Sequence, residues 1–337
     1  MIEYHTMTNL QQTPEIKFAL QAVRHASLLV RQVQTELVSP ALTKDDRSPV
    51  TVADFASQAL VGHLLEVNFP NDILVAEETS SPLQQPGAQQ TLELVTDFVD
   101  RYAEGARADT ICRWIDRGSS APAGRFWCLD PVDGTKGFLR GDQYAIALAL
   151  VENGSVQVGV LGCPNLIDAY RPDLEGSGSL VIAARGQGAW TTSLVSPGDF
   201  ERLNVSARKN PAEARILRSF ESGHTNVDQI GLFATALGVQ VAPVLMDSQA
   251  KYAVLAAGKG DLMLRLISPA QPDYHEKIWD QAAGSLILEE AGGQISDLHG
   301  RALDFTTGRE LLNNRGILAS NSSLHKAALE ALRTIGA

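Results

Sequence analysis

Cysteine is scarce. The 337 residues hold three, Cys112, Cys128 and Cys163, widely spaced and with no Cys-x-x-Cys pair. That argues against a disulfide framework and for small buried hydrophobes in a reducing compartment. Long apolar runs are missing too: the longest, Tyr144 to Val151, has eight residues, against the ~20 that a bilayer-spanning helix needs. Met1 to Thr13 carry no basic region, apolar stretch or small-residue cleavage pattern, so no secretory signal is visible and a cytoplasmic location without membrane contact is expected. Positive charge is also short, with 28 Lys plus Arg against 39 Asp plus Glu and a net charge of −11. No basic run of five residues occurs, and an acidic surface repels nucleic acid and anionic membranes. An anionic substrate would have to be received by a local cationic site or by metal ions. The seven histidines form no His-x-x-x-His pair, which leaves zinc hydrolase chemistry unsupported. No Gly-x-Ser-x-Gly elbow is present, and Gly186-Gln187-Gly188 and Gly258-Lys259-Gly260 are too short for phosphate loops.

What is present is ordinary globular material. Hydrophobic residues make up 44% and charged residues 20%, enough to bury a core without disulfides or a structural metal, over about two domains at ~150 residues each. Thr13-Pro14 opens a helix, with Ile16, Leu20, Val23, Ser27, Val30, Val33 and Leu37 at three- and four-residue steps. A polar break at 43–49 leads to a second helix over 53–67. Ile73–Ala76 reads as a buried strand closed by Glu77-Glu78, and 79–90, rich in Ser, Pro and Gln, as a mobile surface loop. Phe126–Leu129 is a strand running into acids. Tyr144–Val151 and Val156–Cys163 form a hairpin across Asn153-Gly154. With short strands at 169–170 and 180–184, this region reads as antiparallel. Beyond Phe200, strands (215–220, 239–245, 262–266, 293–296, 317–319) alternate with helices (227–237, 248–257, 276–291, 322–334), the signature of an α/β layer. Pro197-Gly198-Asp199 divides the chain into 1–199, α+β, and 200–337, α/β.

The chemistry concentrates in acids placed at element ends. In Asp130-Pro131-Val132-Asp133-Gly134-Thr135, two carboxylates three residues apart follow a strand across a stiffening proline. They and the Val132 carbonyl can aim at one point, a hard-oxygen set suited to Mg²⁺. The same turn could merely cap a helix. Glu77-Glu78 are either a solvated pair or, at a strand's C-terminal end, acids aimed into a cleft. Asp54 and Asp280, in Trp279-Asp280, could each be an acid favoured by a helix start. Taken together, the four sets suit a two-metal site that activates water and neutralises a leaving phosphate. The candidate cations are Lys251, on a helix, and Arg265, inside an apolar strand whose alternation alone would send it to solvent. His224, after a strand, is by itself as well read as an exposed histidine.

The pattern of Ser48-Pro49-Val50-Thr51-x-x-Asp54, Glu77-Glu78, Asp130-Pro131-Val132-Asp133-Gly134-Thr135, Asp247-Ser248-Gln249-Ala250-Lys251-Tyr252 and Trp279-Asp280 resembles the metal-dependent, lithium-sensitive phosphatases of the inositol monophosphatase superfamily. Within it, the sequence is most similar to the 3′(2′),5′-bisphosphate nucleotidases, from about Ile16 to Ser320. The resemblance implies a layered αβαβα sandwich. It implies Mg²⁺ held by Glu77, Asp130, the Val132 carbonyl, Asp133 and Asp280. Asp54 and Thr135 would activate the attacking water. Thr135, His224, Ser248, Lys251, Arg265 and Asp280 would contact a small bisphosphate nucleotide, adenosine 3′,5′-bisphosphate (PAP), with its sulfated relative PAPS as a second candidate. A monomer is the expectation. An inositol phosphate phosphatase, or a nucleotide sensor with a vestigial site, are the competing readings. The Lys251 and Arg265 segments disfavour the first of these and the intact acid set the second.

Overall fold

The threonine that precedes Pro14 starts the first helix. Its hydroxyl accepts the Ile16 N–H at 3.4 Å, and proline at the first position gives up only an N–H that would lack a helical partner anyway. The computed structural model describes residues 13–38, 48–220 and 227–337. In chain order α1 (Pro14–Leu37) and α2 (Ser48–Asn68) precede β1 (Ile73–Ala76), α3 (Gln89–Asp100) and α4 (Ala108–Asp116). Then come β2 (Arg125–Asp133), α5 (Thr135–Arg140), β3 (Ala145–Glu152), β4 (Ser155–Cys163), the short β5 (Leu166–Ile167) and β6 (Arg171–Pro172), β7 (Ser179–Ala184), β8 (Ala189–Ser193) and β9 (Glu201–Leu203). The remainder holds β10 (Ile216–Arg218), α6 (Val227–Leu237), β11 (Val244–Leu245), α7 (Ala250–Ala256), β12 (Leu262–Arg265), α8 (Ala282–Glu290), β13 (Gln294–Ser296), β14 (Ile317–Ser320) and α9 (His325–Ile335).

Two main sheets result. The first has seven strands in the order β1-β2-β3-β4-β7-β8-β9, antiparallel except for the parallel β1–β2 pair. Its hairpin turn is built by Asn153 at φ 50° and Gly154 at φ 78°, the pair of left-handed residues that a type I′ turn requires. The second sheet, β11-β10-β12-β14-β13, is parallel across β11, β10 and β12 and antiparallel beyond. β9 still pairs with β8 in the first sheet, so the second sheet begins only at Ile216.

Alternating side chains on each strand separate three cores. One face of the first sheet, with Trp127, Leu129, Leu148 and Val160, packs against α1 to α4. Its other face, with Phe126, Cys128, Ala147 and Leu161, packs on α7 and α8, which also cover Leu217, Met263 and Ala319 of the second sheet. The outer face of the second sheet, with Leu262, Leu264 and Leu318, is closed by α6 and α9. The layers therefore run helix, sheet, helix, sheet, helix: the expected αβαβα sandwich. β4 lies so close to both of its covers that only glycine fits. A Cβ on Gly162 would stand 2.0 Å from Ser27 Oγ in α1, and one on Gly159 would stand 2.7 Å from the Ala283 carbonyl in α8. Among the described residues no helix is long and apolar enough to cross a membrane.

Several boundaries differ from expectation. Within 79–90 a 3₁₀ turn forms at Ser81–Gln84 with Leu83 buried, fixed because Asp116 accepts both the Ser80 N–H and the Ser80 hydroxyl. α2 begins at Ser48, so Asp54 sits in its second turn rather than at its start. The helix expected from 276 begins at Ala282. Lys277 instead bridges Glu310, and Ile278 donates to the Arg309 carbonyl, so tertiary pairing holds 276–278 extended.

Candidate active site

Parallel pairing of β1 and β2 sets Ala76 beside Leu129. The residues that follow are Glu77 on one strand and Asp130 on the other, so two acids leave the sheet side by side. β2 then bulges. Asp130 pairs with Ala147 but Asp133 with Ala145, which inserts one extra residue at Pro131-Val132. A bulge re-aims side chains and frees backbone groups from the ladder, and here the Pro131 carbonyl is taken by Ser57 Oγ at 2.9 Å. Gly134, at φ 94°, turns the chain into α5, whose first residue is Thr135. A Cβ at Gly134 would lie 2.8 Å from the Ser248 Cβ, so this turn also brings the α7 entry against the acids.

The acids share one electrostatic environment. Asp130 is buried, and its Oδ1 has no hydrogen-bond partner. Burial first, and then the charges of Asp133, Glu77, Asp280 and Asp54, push its carboxyl well above the usual range. Asp280, in the turn before α8, is raised well up by burial, against the pull of Arg265 and with Asp133 adding to the rise. Glu77 keeps an exposed face, yet its carboxyl is raised by desolvation and then by Asp133. Asp54 is raised by burial, Glu78 and Glu77, and Glu78 to about 7 by burial and Glu77. Asp133 is also raised by burial, but it is countered by Lys251 and by the Gln249 N–H, which donates to Oδ2 at 2.6 Å.

Two cations face this group. Lys251 is buried, with Nζ 3.3 Å from both Ser219 Oγ and the Met246 carbonyl, and burial lowers its pKa to about 8 while Asp133 opposes the fall. Arg265 does not turn to solvent. Its Nε lies 3.1 Å from Glu276 Oε1 and its Nη2 3.3 Å from the Tyr274 hydroxyl, and its charge reaches both Asp133 and Asp280. Ser248 is buried at φ 66°, a strained backbone for a non-glycine residue of the kind that gathers at functional sites. Thr135 is exposed. His224 lies outside the described residues.

Three further residues shape the site. Gln249 supplies the main-chain donor to Asp133 and joins its own side chain to the Trp279 carbonyl at 3.0 Å. Glu276, buried, anchors Arg265. Gln58 exchanges two hydrogen bonds with the main chain of Glu78, at 2.9 and 2.7 Å. Gln249 and Glu276 lie in or beside the motifs of Lys251 and Asp280, but their roles, like that of Gln58, carry no local signal, because their partners are distant in the chain.

The carboxylates are gathered rather than closed. Among the described residues, no three acid, histidine or cysteine groups already converge as ligands on one point. Their chemistry still fits a hard divalent cation: all donors are oxygen, they repel one another, and the buried Asp130 Oδ1 has no partner within the protein. Comparison with known proteins decides the family, because the model for the inositol monophosphatase family matches residues 11–337. The chain belongs to that family. It is 40% identical over 339 residues to the 3′(2′),5′-bisphosphate nucleotidase of Emericella nidulans, covering 93% of this chain and 96% of the relative. Against the enzymes of that name from Schizosaccharomyces pombe and Oryza sativa the identity is 41% and 43%, with 95% of this chain covered in each case and 95% and 93% of the relatives. Among solved structures, the Thermotoga maritima IMPase superposes with a TM-score of 0.62 at 20% identity, covering 96% of this chain and 98% of that one. The Anabaena inositol monophosphatase gives 0.62 at 21%, covering 97% of both. At that identity these structures speak for the fold. Enzymes of the family are metal-dependent.

Proposed function

We propose that this family member is a 3′(2′),5′-bisphosphate nucleotidase that hydrolyses the 3′-phosphate of PAP to give AMP and phosphate, with Mg²⁺ as its metal. The observation that carries the reading is the partnerless Asp130 Oδ1 amid Glu77, Asp133, Asp280 and Asp54, with the buried Lys251 and the half-buried Arg265 on the same side. Relatives about 40% identical over nearly their full length bear the same activity in their names. The three cysteines are unpaired, which supports a reducing compartment such as the cytoplasm.

Glu77, Asp130, Asp133, Asp280 and the Val132 carbonyl would hold the metal. When bound, Mg²⁺ acidifies water and screens the phosphate's charge. Asp54 takes the proton of the attacking water as its oxygen bonds phosphorus, and the Thr135 hydroxyl orients that water. The bond from phosphorus to the ribose 3′ oxygen breaks, and that oxygen leaves with a proton from solvent. Lys251 and Arg265, with Ser248 and His224, receive the phosphate that does not react. Arg265 is suited to that task because Glu276 holds its planar fork in one orientation.

A panel of PAP, PAPS, inositol 1-phosphate, inositol 1,4-bisphosphate and fructose 1,6-bisphosphate, assayed for phosphate release with Mg²⁺, tests the reading. PAP should be turned over most efficiently. A preference for either inositol phosphate would transfer the chain to the inositol branch, and no release from any substrate would make the site vestigial.

A further inference from the structure

Glu77 and Asp280 arrive at the site from opposite ends of the chain, one from the end of β1 and the other from the turn before α8. One side chain spans the two. Arg309 Nη2 donates to the carbonyl of Ala76, the residue before Glu77, and Nη1 donates to the carbonyls of Gly118 and Ser120 at 3.0 and 3.2 Å. The Gly118 carbonyl also accepts the Ala76 N–H at 2.9 Å, so the arginine grips β1 on both sides of its end. The same guanidinium lies over the indole of Trp279, the residue before Asp280, with Cζ 4.8 Å from the ring centroid. Its backbone is tied to that turn as well: the Arg309 carbonyl accepts the Ile278 N–H at 3.1 Å, and Leu311 N–H donates to the Glu276 carbonyl at 2.9 Å.

We infer that Arg309 is a positioning residue that fixes the spacing between Glu77 and Asp280, and thereby sets the affinity of the site for its divalent cation. The inference rests on the assignment of these two acids as metal ligands. Its chemistry is specific to arginine. A planar fork can satisfy three carbonyls while its face stacks on an indole, whereas a lysine ammonium can stack or bond but cannot span the set. All three of its hydrogen bonds go to main-chain oxygens, so what it restrains is backbone. A carboxylate attached one residue further on inherits that restraint.

The test uses Mn²⁺ as the probe, with affinity read from the electron paramagnetic resonance signal of the free ion, on the full chain and its Arg309→Met and Arg309→Lys variants. Melting temperature, kcat and the metal concentration for half-maximal PAP hydrolysis accompany each measurement. Arg309→Met should weaken Mn²⁺ binding by about 10- to 100-fold, the range for partners that orient metal ligands. The half-saturating metal concentration should rise by the same factor, with kcat at saturating metal within about threefold of wild type. Arg309→Lys should recover part of the affinity, and it decides the matter if the methionine variant fails to fold. Wild-type Mn²⁺ affinity in a folded variant, or a loss confined to kcat, would overturn the assignment of Arg309. Failure of the wild type itself to bind Mn²⁺ would instead overturn the ligand roles of Glu77 and Asp280, and the role of Arg309 with them.

Discussion

The two sheets are built to different standards of rigidity. In the first, β2, β3 and β4 run nine, eight and nine residues, each paired on both sides. In the second, no strand among the described residues exceeds four residues, and β11 has two. Asp130 and Asp133 grow from the nine-residue β2, and Glu77 from the four-residue β1 paired along it, whereas Arg265 and the Ser219 that holds Lys251 sit on or just beyond the short-stranded sheet. A mutually repelling carboxylate cluster needs a frame that does not yield when its charges push apart. Cations that meet a mobile substrate are fixed instead by side-chain bonds, such as Arg265 to Glu276 and Lys251 to Ser219. Local precision thus comes from long-strand backbone at Asp130 and Asp133 and from side-chain bonds at Arg265 and Lys251, with Arg309 joining the two regimes at Glu77 and Asp280.

The largest effect should come from removing what the rigid half is shaped to hold. Exhaustive EDTA treatment should abolish phosphate release and Mg²⁺ should restore it, while Ca²⁺, larger and looser in geometry, should support little turnover. Full activity after chelation would remove the reason for the acid frame. Next, Asp133→Asn should leave thermal melting unchanged, because the shape is kept, yet lower kcat by at least ~10²-fold, the scale of losing one strong transition-state contact. Near-normal turnover in a folded variant would reduce Asp133 to a turn residue.

The cationic half should respond more gently and more selectively. Lys251→Met should lower kcat/KM for PAP by about 10- to 150-fold, equivalent to ~1.5–3 kcal/mol for a charged hydrogen bond. It should change that for inositol 1-phosphate, which has no second phosphate, far less. Equal losses on both substrates would show that Lys251 serves the fold or Asp133 instead. Lys251 is the cleaner probe, since replacing Arg265 would also strand the buried Glu276.

The last effect leaves turnover aside and concerns the stability of the second sheet. His325 is buried with its ring nitrogens 2.8 Å from Ser320 Oγ on β14 and 2.9 Å from Ser296 Oγ on β13, and burial lowers its pKa from 6.5 to about 4. The unfolded chain therefore binds a proton that the folded one refuses between those values. The stability contributed by the neutral ring is complete above pH 6.5 and is lost as pH falls toward 4, by at most about 3 kcal/mol. Urea titrations at pH 7 and 4.5 should show a flatter pH dependence in His325→Gln than in wild type. Parallel curves would place the acid sensitivity elsewhere.

The same contrast governs what could be read from the chain. Long strands with alternating side chains and an Asn-Gly turn declare themselves locally, so β3, β4 and the acids ending β2 were legible, as was the helix primed by Thr13-Pro14. The expected strand over 239–245 shrinks to Val244–Leu245, and the helix expected from 276 starts six residues late, because distant partners decide both. Alternation sent Arg265 toward solvent, and only the buried Glu276, eleven residues on, explains its inward turn. Arg309 had no signature, since its hydrogen-bond partners are carbonyls, which every residue has, and the indole it stacks on is distant in the chain. The motif acids were recognisable one by one, but their convergence depends on the parallel β1–β2 register.

The middle layer has a consequence for how the protein is made. α7 and α8, which cover the inner face of the first sheet, end at Glu290, whereas the last strand of that sheet ends at Leu203. With translation at ~5–20 residues per second, the ribosome adds the intervening residues in roughly 4–18 seconds. For that interval the nascent first sheet can be complete in hydrogen bonds yet bare on one apolar face. Ribosomes stalled once Leu203 has emerged should therefore recruit chaperones that bind exposed hydrophobic surface, and those stalled after Glu290 has emerged should release them.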